Sequence, residues 1–327
     1  MINDLNQPIF VCLTSYQYIL ADLMAKEEYK NSGIKSIIIL KYVNKVKPEN
    51  NEYADYIIIP PGKLGKLKTL CYSILPRKNW KPNALYFFND RDPITKNIAK
   101  QCTKKILVEE GIGTYFDFPD IKIIGTGIVP DIAYVGYPEI YRETHSPTTF
   151  IKKIDYNLLF SAKNIQPYIR NLDVNLSCDI LLLGQTTDSD PKYMEYENRF
   201  INEFSRKWPG KKMIIKPHPR NSKFLDYATS DDIKLIDEHL AYLPIEILIR
   251  SIQVKSIFSL CSSGCITLAN ICPSVHMILG CNMFNIGLGE LAGWDELIKN
   301  ISVFAKYNKN IIFPQSIEEL DKILFND

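Results

Sequence analysis

Lys216-Pro217-His218-Pro219-Arg220 is the grouping in this chain with the most evident chemical use. Both prolines hold the backbone extended and push the residue before each away from helical geometry, so His218 is presented rather than left to swing. An imidazole between two cations suits a phosphate. It can donate a hydrogen bond or a proton to a leaving oxygen while Lys216 and Arg220 stabilise the charge. A structural turn is the plain alternative, but the other three histidines, at 145, 239 and 276, have weaker settings. Ser262-Ser263-Gly264 follows the apolar run Ser256 to Leu260 and opens a helical pattern. Hydroxyls and amides at such a place cap a helix or bind an anion. Glu246 lies between these motifs, in the first turn of another helical stretch. Its carboxylate could accept both hydroxyls of a ribose or simply complement a helix dipole.

A third grouping, Glu109-Glu110-Gly111, ends the apolar run Ile106 to Val108. Two adjacent carboxylates at a strand tip can supply a general base for an acceptor hydroxyl, since repulsion or burial raises the pKa of one of them. Solvated surface acids are the competing reading. Other signals fail. Gly125-Thr126-Gly127 has Pro130 where a dinucleotide fingerprint needs its third glycine, and Gly62 to Lys66 lacks the spacing of a phosphate loop. There is no Gly-x-Ser-x-Gly elbow, HExxH or carboxylate-rich metal loop to anchor a hydrolase or metalloenzyme reading.

The elements that must carry these residues alternate along the chain. Ile9–Leu13, Ser36–Leu40, Tyr56–Ile59, Ala84–Phe88 and Ile106–Val108 read as strands, with helices over Tyr16–Asn31, Gly65–Ile74 and Thr95–Cys102. The stretch from Pro138 to Pro147 and on to Leu176 reads as the passage between domains. Strands then resume at Asp179–Leu183, Lys212–Ile215, Ile233–Leu235, Ser256–Leu260, Val275–Ile278 and Ile311–Phe313. Helices fall over Glu195–Trp208, Pro244–Ile252, Gly264–Ile271, Leu291–Ala305 and Ile317–Phe325. Short apolar runs crossing over through amphipathic ones predict an α/β fold of two facing Rossmann-like domains with parallel sheets. The domains are expected at 1–155 and 156–327, the last helix packing back on the first. At 327 residues the chain has length for two cores.

Composition bounds the rest. Hydrophobic residues at 46 % and charged residues at 23 % exclude a mostly disordered chain, and a net charge of +2 gives no support to nucleic-acid binding. Eight cysteines, with no CxxC pair and no zinc-finger histidines, read as reduced core residues, which favours the cytoplasm. Met1 to Pro8 has no basic leader region, and no apolar stretch approaches the roughly 20 residues of a membrane span. From Tyr56 to Asn89 there is no acid, while Lys63, Lys66, Lys68, Arg77, Lys78 and Lys81 gather beside Tyr72, Leu75 and Trp80. The stretch 63–81 reads either as a solvated face or as a surface that rests on an acidic glycolipid acceptor or makes a peripheral contact with the anionic inner face of a membrane.

Together, Glu109-Glu110-Gly111, Lys216-Pro217-His218-Pro219, Glu246 and Ser262-Ser263 resemble the ordered motifs of bacterial sialyltransferases, an order shared with polysialyltransferases. Phe10 to Gln17 and Glu109 to Tyr115 look most like the lipooligosaccharide and capsule enzymes of glycosyltransferase family 52. The resemblance implies a GT-B-like fold, CMP-sialic acid as donor, inversion at the anomeric carbon, no cofactor and no required metal. It makes Glu109 the base, with Glu110 beside it, and gives His218 the departing phosphate. Lys216, Pro217, Pro219, Ser262, Ser263 and Gly264 would bind the donor, Glu246 holding its ribose. Thr14, Ser15 and Gln17 fall on the acceptor side. Some members take the base from the second domain, where Asp188, Asp190 and Glu195 are rivals. The expected partners are a nucleotide sugar and a glycan or glycolipid acceptor, such as lipooligosaccharide, O-antigen or capsule. A homodimer is allowed. The competing readings are a transferase using a UDP-sugar, a CDP-glycerol-type polymer transferase and a non-enzymatic two-domain nucleotide-binding protein.

Overall fold

Ile9-Phe10-Val11-Cys12 and Ile37-Ile38-Ile39-Leu40 are unbroken apolar runs, and strands of that kind are stable only where helices cover both faces of a sheet. Every one of these eight side chains is buried. The computed structural model describes residues 7–43, 48, 51–74, 82–116, 127–145, 148–169, 176–185, 192–219, 221, 227–284 and 294–325. They divide into two units, one running to Asp155 and the other from Tyr156, with Phe116 belonging to the second.

The first unit contains β1 (Pro8–Cys12), α1 (Ser15–Ser32), β2 (Ser36–Lys41), β3 (Ala54–Ile59), α2 (Gly62–Ile74), β4 (Ala84–Phe87), α3 (Pro93–Ala99), β5 (Lys104–Val108), β6 (Ile132–Val135), α4 (Pro138–Thr144) and β7 (Phe150–Lys153). Its strands pair in parallel in the order β3-β2-β1-β4-β5-β6-β7. Asp92 caps α3, its Oδ2 accepting the N–H groups of Ile94 and Thr95 at 2.8 and 3.1 Å, and it also pairs with Lys41. This buried ion pair ties the carboxyl ends of β2 and β4 together across β1.

The stretch offered as the passage between domains, Pro138 to Leu176, contains the division at Asp155 and Tyr156, and ahead of that division it forms α4 and β7, still within the first unit. β6 was also not foreseen. It is four residues long, and β7 is an edge strand, Phe-Ile-Lys-Lys, with Phe150 62 % exposed. Neither an apolar run nor a clean alternation marks such strands.

The second unit contains α5 (Tyr156–Leu159), α6 (Ala162–Ile169), β8 (Leu176–Leu183), α7 (Lys192–Lys207), β9 (Met213–Lys216), β10 (Ile233–Leu235), α8 (Glu238–Ala241), α9 (Ile245–Leu248), β11 (Ile252–Ser259), α10 (Ser263–Ile271), β12 (His276–Leu279), α11 (Trp294–Tyr307), β13 (Ile311–Ile312) and α12 (Ile317–Phe325). The sheet order is β10-β9-β8-β11-β12-β13, again parallel. The helix expected over Pro244–Ile252 is shorter, because a 3₁₀ turn at Ile249–Ser251 leads directly into β11. α12 is held in its own unit: Trp208 Nε1 donates to Asp321 at 2.6 Å and Lys207 pairs with Glu318 at 2.8 Å, both from the end of α7.

Each sheet begins at its centre, builds outward to one edge, then restarts on the other side of its first strand. That reversal makes a crevice at the carboxyl ends of β1 and β4 in the first unit, and of β8 and β11 in the second.

Candidate active site

β8 lies between β9 and β11, so its carboxyl end is flanked by both motifs read from the second half of the sequence. Leu183 pairs with Lys216, and Leu182 with Phe258, which sets Lys216, Gly184 and Ser259 near one level of the sheet. With adjacent strands about 4.8 Å apart, the ends of β9 and β11 are separated by about 10 Å. A hydrogen-bonded chain spans them. The Asn221 side chain donates to the Gln185 carbonyl at 3.1 Å, and Gln185 Nε2 donates to Ser259 Oγ at 2.7 Å. Ser259 Oγ donates to the Leu183 carbonyl at 2.8 Å and accepts from the Ser262 N–H at 3.2 Å, while Cys261 Sγ contacts Gln185 Oε1 at 3.4 Å. The His218 carbonyl closes the turn on its side by accepting from the Asn221 N–H at 3.0 Å.

Gln185 is in turn fixed from below. Its N–H donates to Glu197 on α7 at 2.6 Å, and the other Glu197 oxygen accepts from the Tyr227 hydroxyl at 2.8 Å. Burial pushes the Glu197 carboxyl up to about 7, with these two donors opposing the rise. Gly184 allows the segments to meet. A Cβ there would stand 2.5 Å from the Tyr227 hydroxyl and 3.4 Å from the Pro217 Cα.

Lys216 ends β9 with its Nζ buried and donating to the Ala241 carbonyl at 3.0 Å. Glu246, in the first turn of α9, is buried as well. Burial lowers the Lys216 ammonium to about 8 and raises the Glu246 carboxyl to about 7, and the opposite charge of each restrains the other's shift. Glu246 also reaches Cys265 in the first turn of α10, whose thiol is raised by burial and then by that carboxylate. Ser262 caps α10, its Oγ accepting the Gly264 N–H at 3.2 Å. Ser262, Ser263, Gly264 and His218 are half-buried, Pro217 is buried and Pro219 exposed. Lys216, Glu246 and the start of α10 therefore form one electrostatic neighbourhood. Arg220 lies outside the described residues.

In the first unit, Glu109 follows β5 and its N–H pairs with the Tyr134 carbonyl at 3.0 Å. Its side chain is wholly buried: Oε2 accepts the Gly136 N–H at 2.5 Å and the Tyr115 hydroxyl. The same hydroxyl accepts the Tyr137 N–H at 3.0 Å, so this carboxylate binds the end of β5 to the loop after β6. The two acids of this element differ in exposure. Glu110 alone is half-buried, its N–H donating to Thr114 Oγ1 at 2.8 Å. Gly111, with φ 132°, adopts a conformation that side chains disfavour, turning the chain into the short helix Ile112–Thr114.

The opening motif builds the start of α1. Thr14 caps α1 through the Gln17 N–H at 3.2 Å, and Gln17 Oε1 accepts the Leu13 N–H at 2.5 Å. This is the reciprocal logic of a capping box. Gln17 is wholly buried, whereas Thr14 and Ser15 are half-buried. Glu195 is exposed in the first turn of α7; Asp188 and Asp190 lie outside the described residues. The sequence reading missed Gln185, Glu197, Asn221 and Tyr227. A signal existed for two of them. Gln185 lies two residues past a strand end, and Glu197 precedes Phe200, Ile201 and Phe204 on the same face of α7.

Two units, each built on a parallel Rossmann-like sheet, make a two-domain α/β fold of the GT-B kind. The family model for alpha-2,8-polysialyltransferase (POLYST) matches residues 8–279, and the chain belongs to that family. It is a sialyltransferase-like glycosyltransferase. Among solved structures it resembles the alpha/beta-galactoside alpha-2,3-sialyltransferase of the luminous marine bacterium Photobacterium phosphoreum, with 11 % identity over 94 % of this chain and 98 % of that one, TM-score 0.54. The UDP-GlcNAc 2-epimerase of Methanocaldococcus jannaschii, solved with UDP-GlcNAc and UDP, has 15 % identity over 98 % of this chain and 93 % of its own, TM-score 0.61. The wall teichoic acid polymerase TagF matches at 13 % identity over 98 % and 79 %, TM-score 0.54. At these identities the likeness carries the fold. No curated protein matches the chain in sequence.

Proposed function

We propose that this chain transfers sialic acid from CMP-sialic acid to a sugar hydroxyl of a bacterial surface glycan, inverting the anomeric carbon and requiring no metal. The observation that carries the reading is the hydrogen-bonded chain from Asn221 through Gln185 to Ser259 and Ser262. It fixes the His-Pro turn and the Ser-Ser helix start at one end of one sheet, where a single phosphate could meet both. In the reaction the acceptor oxygen bonds to the anomeric carbon as the bond from that carbon to the CMP phosphate oxygen breaks. His218 donates a hydrogen bond or proton to the departing oxygen, and the start of α10 stabilises its negative charge. Glu246 holds the ribose hydroxyls.

The acceptor proton goes to the acid-acid-glycine element. Motif order favours Glu109 as the base and exposure favours Glu110. We assign the proton to Glu109, because two donors already fix its carboxylate and a base must be oriented before it is useful. The family description supports a 2,8 linkage to another sialic acid as the acceptor chemistry.

The test is release of CMP from CMP-sialic acid by the whole chain, with sialyl transfer followed by chromatography, in buffer containing a chelator. Turnover is expected. Turnover of UDP-sugars or CDP-glycerol alone would transfer the reading to those donors, and binding without turnover of any donor would leave a nucleotide-binding protein.

A further inference from the structure

α2 meets the rest of its unit along one narrow seam. At Gly65 a Cβ would fall 1.6 Å from the Pro60 carbonyl oxygen, so only glycine lets the helix lie this close. One turn on, Thr69 Oγ1 is 3.3 Å from the Tyr42 hydroxyl. Tyr72 packs against the core, and its carbonyl accepts from Asn97 at 2.8 Å. These positions recur at i, i+4 and i+7 and therefore share one face.

The opposite face is open and apolar. Leu64, Leu67 and Leu70 are 60, 58 and 53 % exposed, and Cys71 is exposed beside them. At about 100° per residue, Leu64, Cys71, Leu67 and Leu70 fill roughly 120° of arc pointing away from the seam. Lys66 and Lys68 run along the two borders of that arc, Lys63 stands within it at the first turn, and all three are exposed. An isolated surface leucine needs no explanation, but a continuous arc edged by one sign of charge does.

Charge selects the occupant. α2 carries no acid, and none occurs in the sequence from Tyr56 to Asn89. A two-fold contact between copies of this face would set lysines against lysines. An anionic lipid surface accepts both parts: leucines enter the boundary between headgroups and acyl chains, while lysine stems extend along the apolar arc and bring their ammonium groups to phosphates. We propose that α2 lies on the anionic surface of a lipid bilayer, with Leu64, Leu67 and Leu70 inserted and Lys63, Lys66 and Lys68 at the headgroups. Among the described residues no helix is long and apolar enough to cross a membrane, so this contact is peripheral. It is independent of the donor chemistry proposed above.

The experiment floats the full chain with vesicles of phosphatidylcholine, with and without phosphatidylglycerol. The chain is expected to partition onto the anionic vesicles and to be released by salt. Leu67→Asp, and Lys66→Glu with Lys68→Glu, are each expected to lower partitioning by at least about tenfold, since each charge near the surface changes binding several-fold. Circular dichroism and the rate of CMP release should remain those of the unaltered chain. Equal binding to both lipids, or variants that bind like the parent, overturns the proposal. So does light scattering in which Leu67→Asp splits a dimer without changing vesicle binding. Lost CMP release with vesicle binding intact would count against the donor reading alone.

Discussion

Glu197 accepts the N–H of Gln185 at 2.6 Å, joining the middle of α7 to the end of β8 and through it to both motif-bearing segments. Burial raises the carboxyl's pKa to about 7. A group whose folded pKa exceeds its unfolded value stabilises most below the unfolded pKa, and that stability is lost as pH rises through the folded one. The urea midpoint of the protein should therefore fall between about pH 4.5 and pH 7. In Glu197→Gln, which keeps the shape and can still bond Gln185 and Tyr227, up to about 3 kcal/mol of that fall should vanish. An unaltered slope in the variant would mean that Glu197 does not titrate with folding.

His218→Ala is expected to slow CMP formation by at least about 10²-fold, the lower range for a positioned acid or base. Its half-buried ring is not part of the packed core, so thermal stability should change little. A folded variant that turns over at the parent rate removes His218 from the reaction. Stopped assays of CMP release at saturating donor separate this from weakened binding.

The alternation of apolar runs and helices made the doubly wound fold legible, because central strands such as β1 and β2 are buried on both faces and leave continuous apolar signatures. Edge strand β7 leaves none: half of Phe-Ile-Lys-Lys is lysine, and Phe150 faces solvent. The Ser-Ser motif was readable for a similar reason, since a strand end followed by a serine cap is a local pattern. Gln185 and Glu197 work through partners 74 and 12 residues away, so what they do becomes visible only when β8, β11 and α7 are assembled.

Glu246 and Lys216 give a prediction with a defined sign. The carboxylate of Glu246 raises the lysine's pKa against the larger effect of burial, which leaves it at about 8. Glu246→Gln removes that support, so the Lys216 ammonium should lose its proton at lower pH. If the cation serves the donor phosphate, the alkaline limb of the kcat/KM profile moves down in pH, and donor KM rises more than kcat falls as the ribose contact weakens. A profile whose alkaline limb does not move would place Lys216 outside donor binding.

The acid-acid-glycine element can be divided by single amides. Glu109 Oε2 already serves Tyr115 and Gly136, and Glu109→Gln retains an oxygen for the Gly136 N–H. The loss should therefore appear chiefly in kcat, by at least about 10²-fold, with a small change in thermal midpoint. Glu110→Gln, at a half-buried position with a backbone bond to Thr114, should lose less than about tenfold. Sialyl transfer measured at several acceptor concentrations decides between them. The opposite ranking would make Glu110 the base and Glu109 its positioning residue, held by the same two donors. Gly111→Ala supplies the structural control: a side chain at φ 132° is strained, so stability should drop by roughly 1–3 kcal/mol and activity should fall with it, not ahead of it.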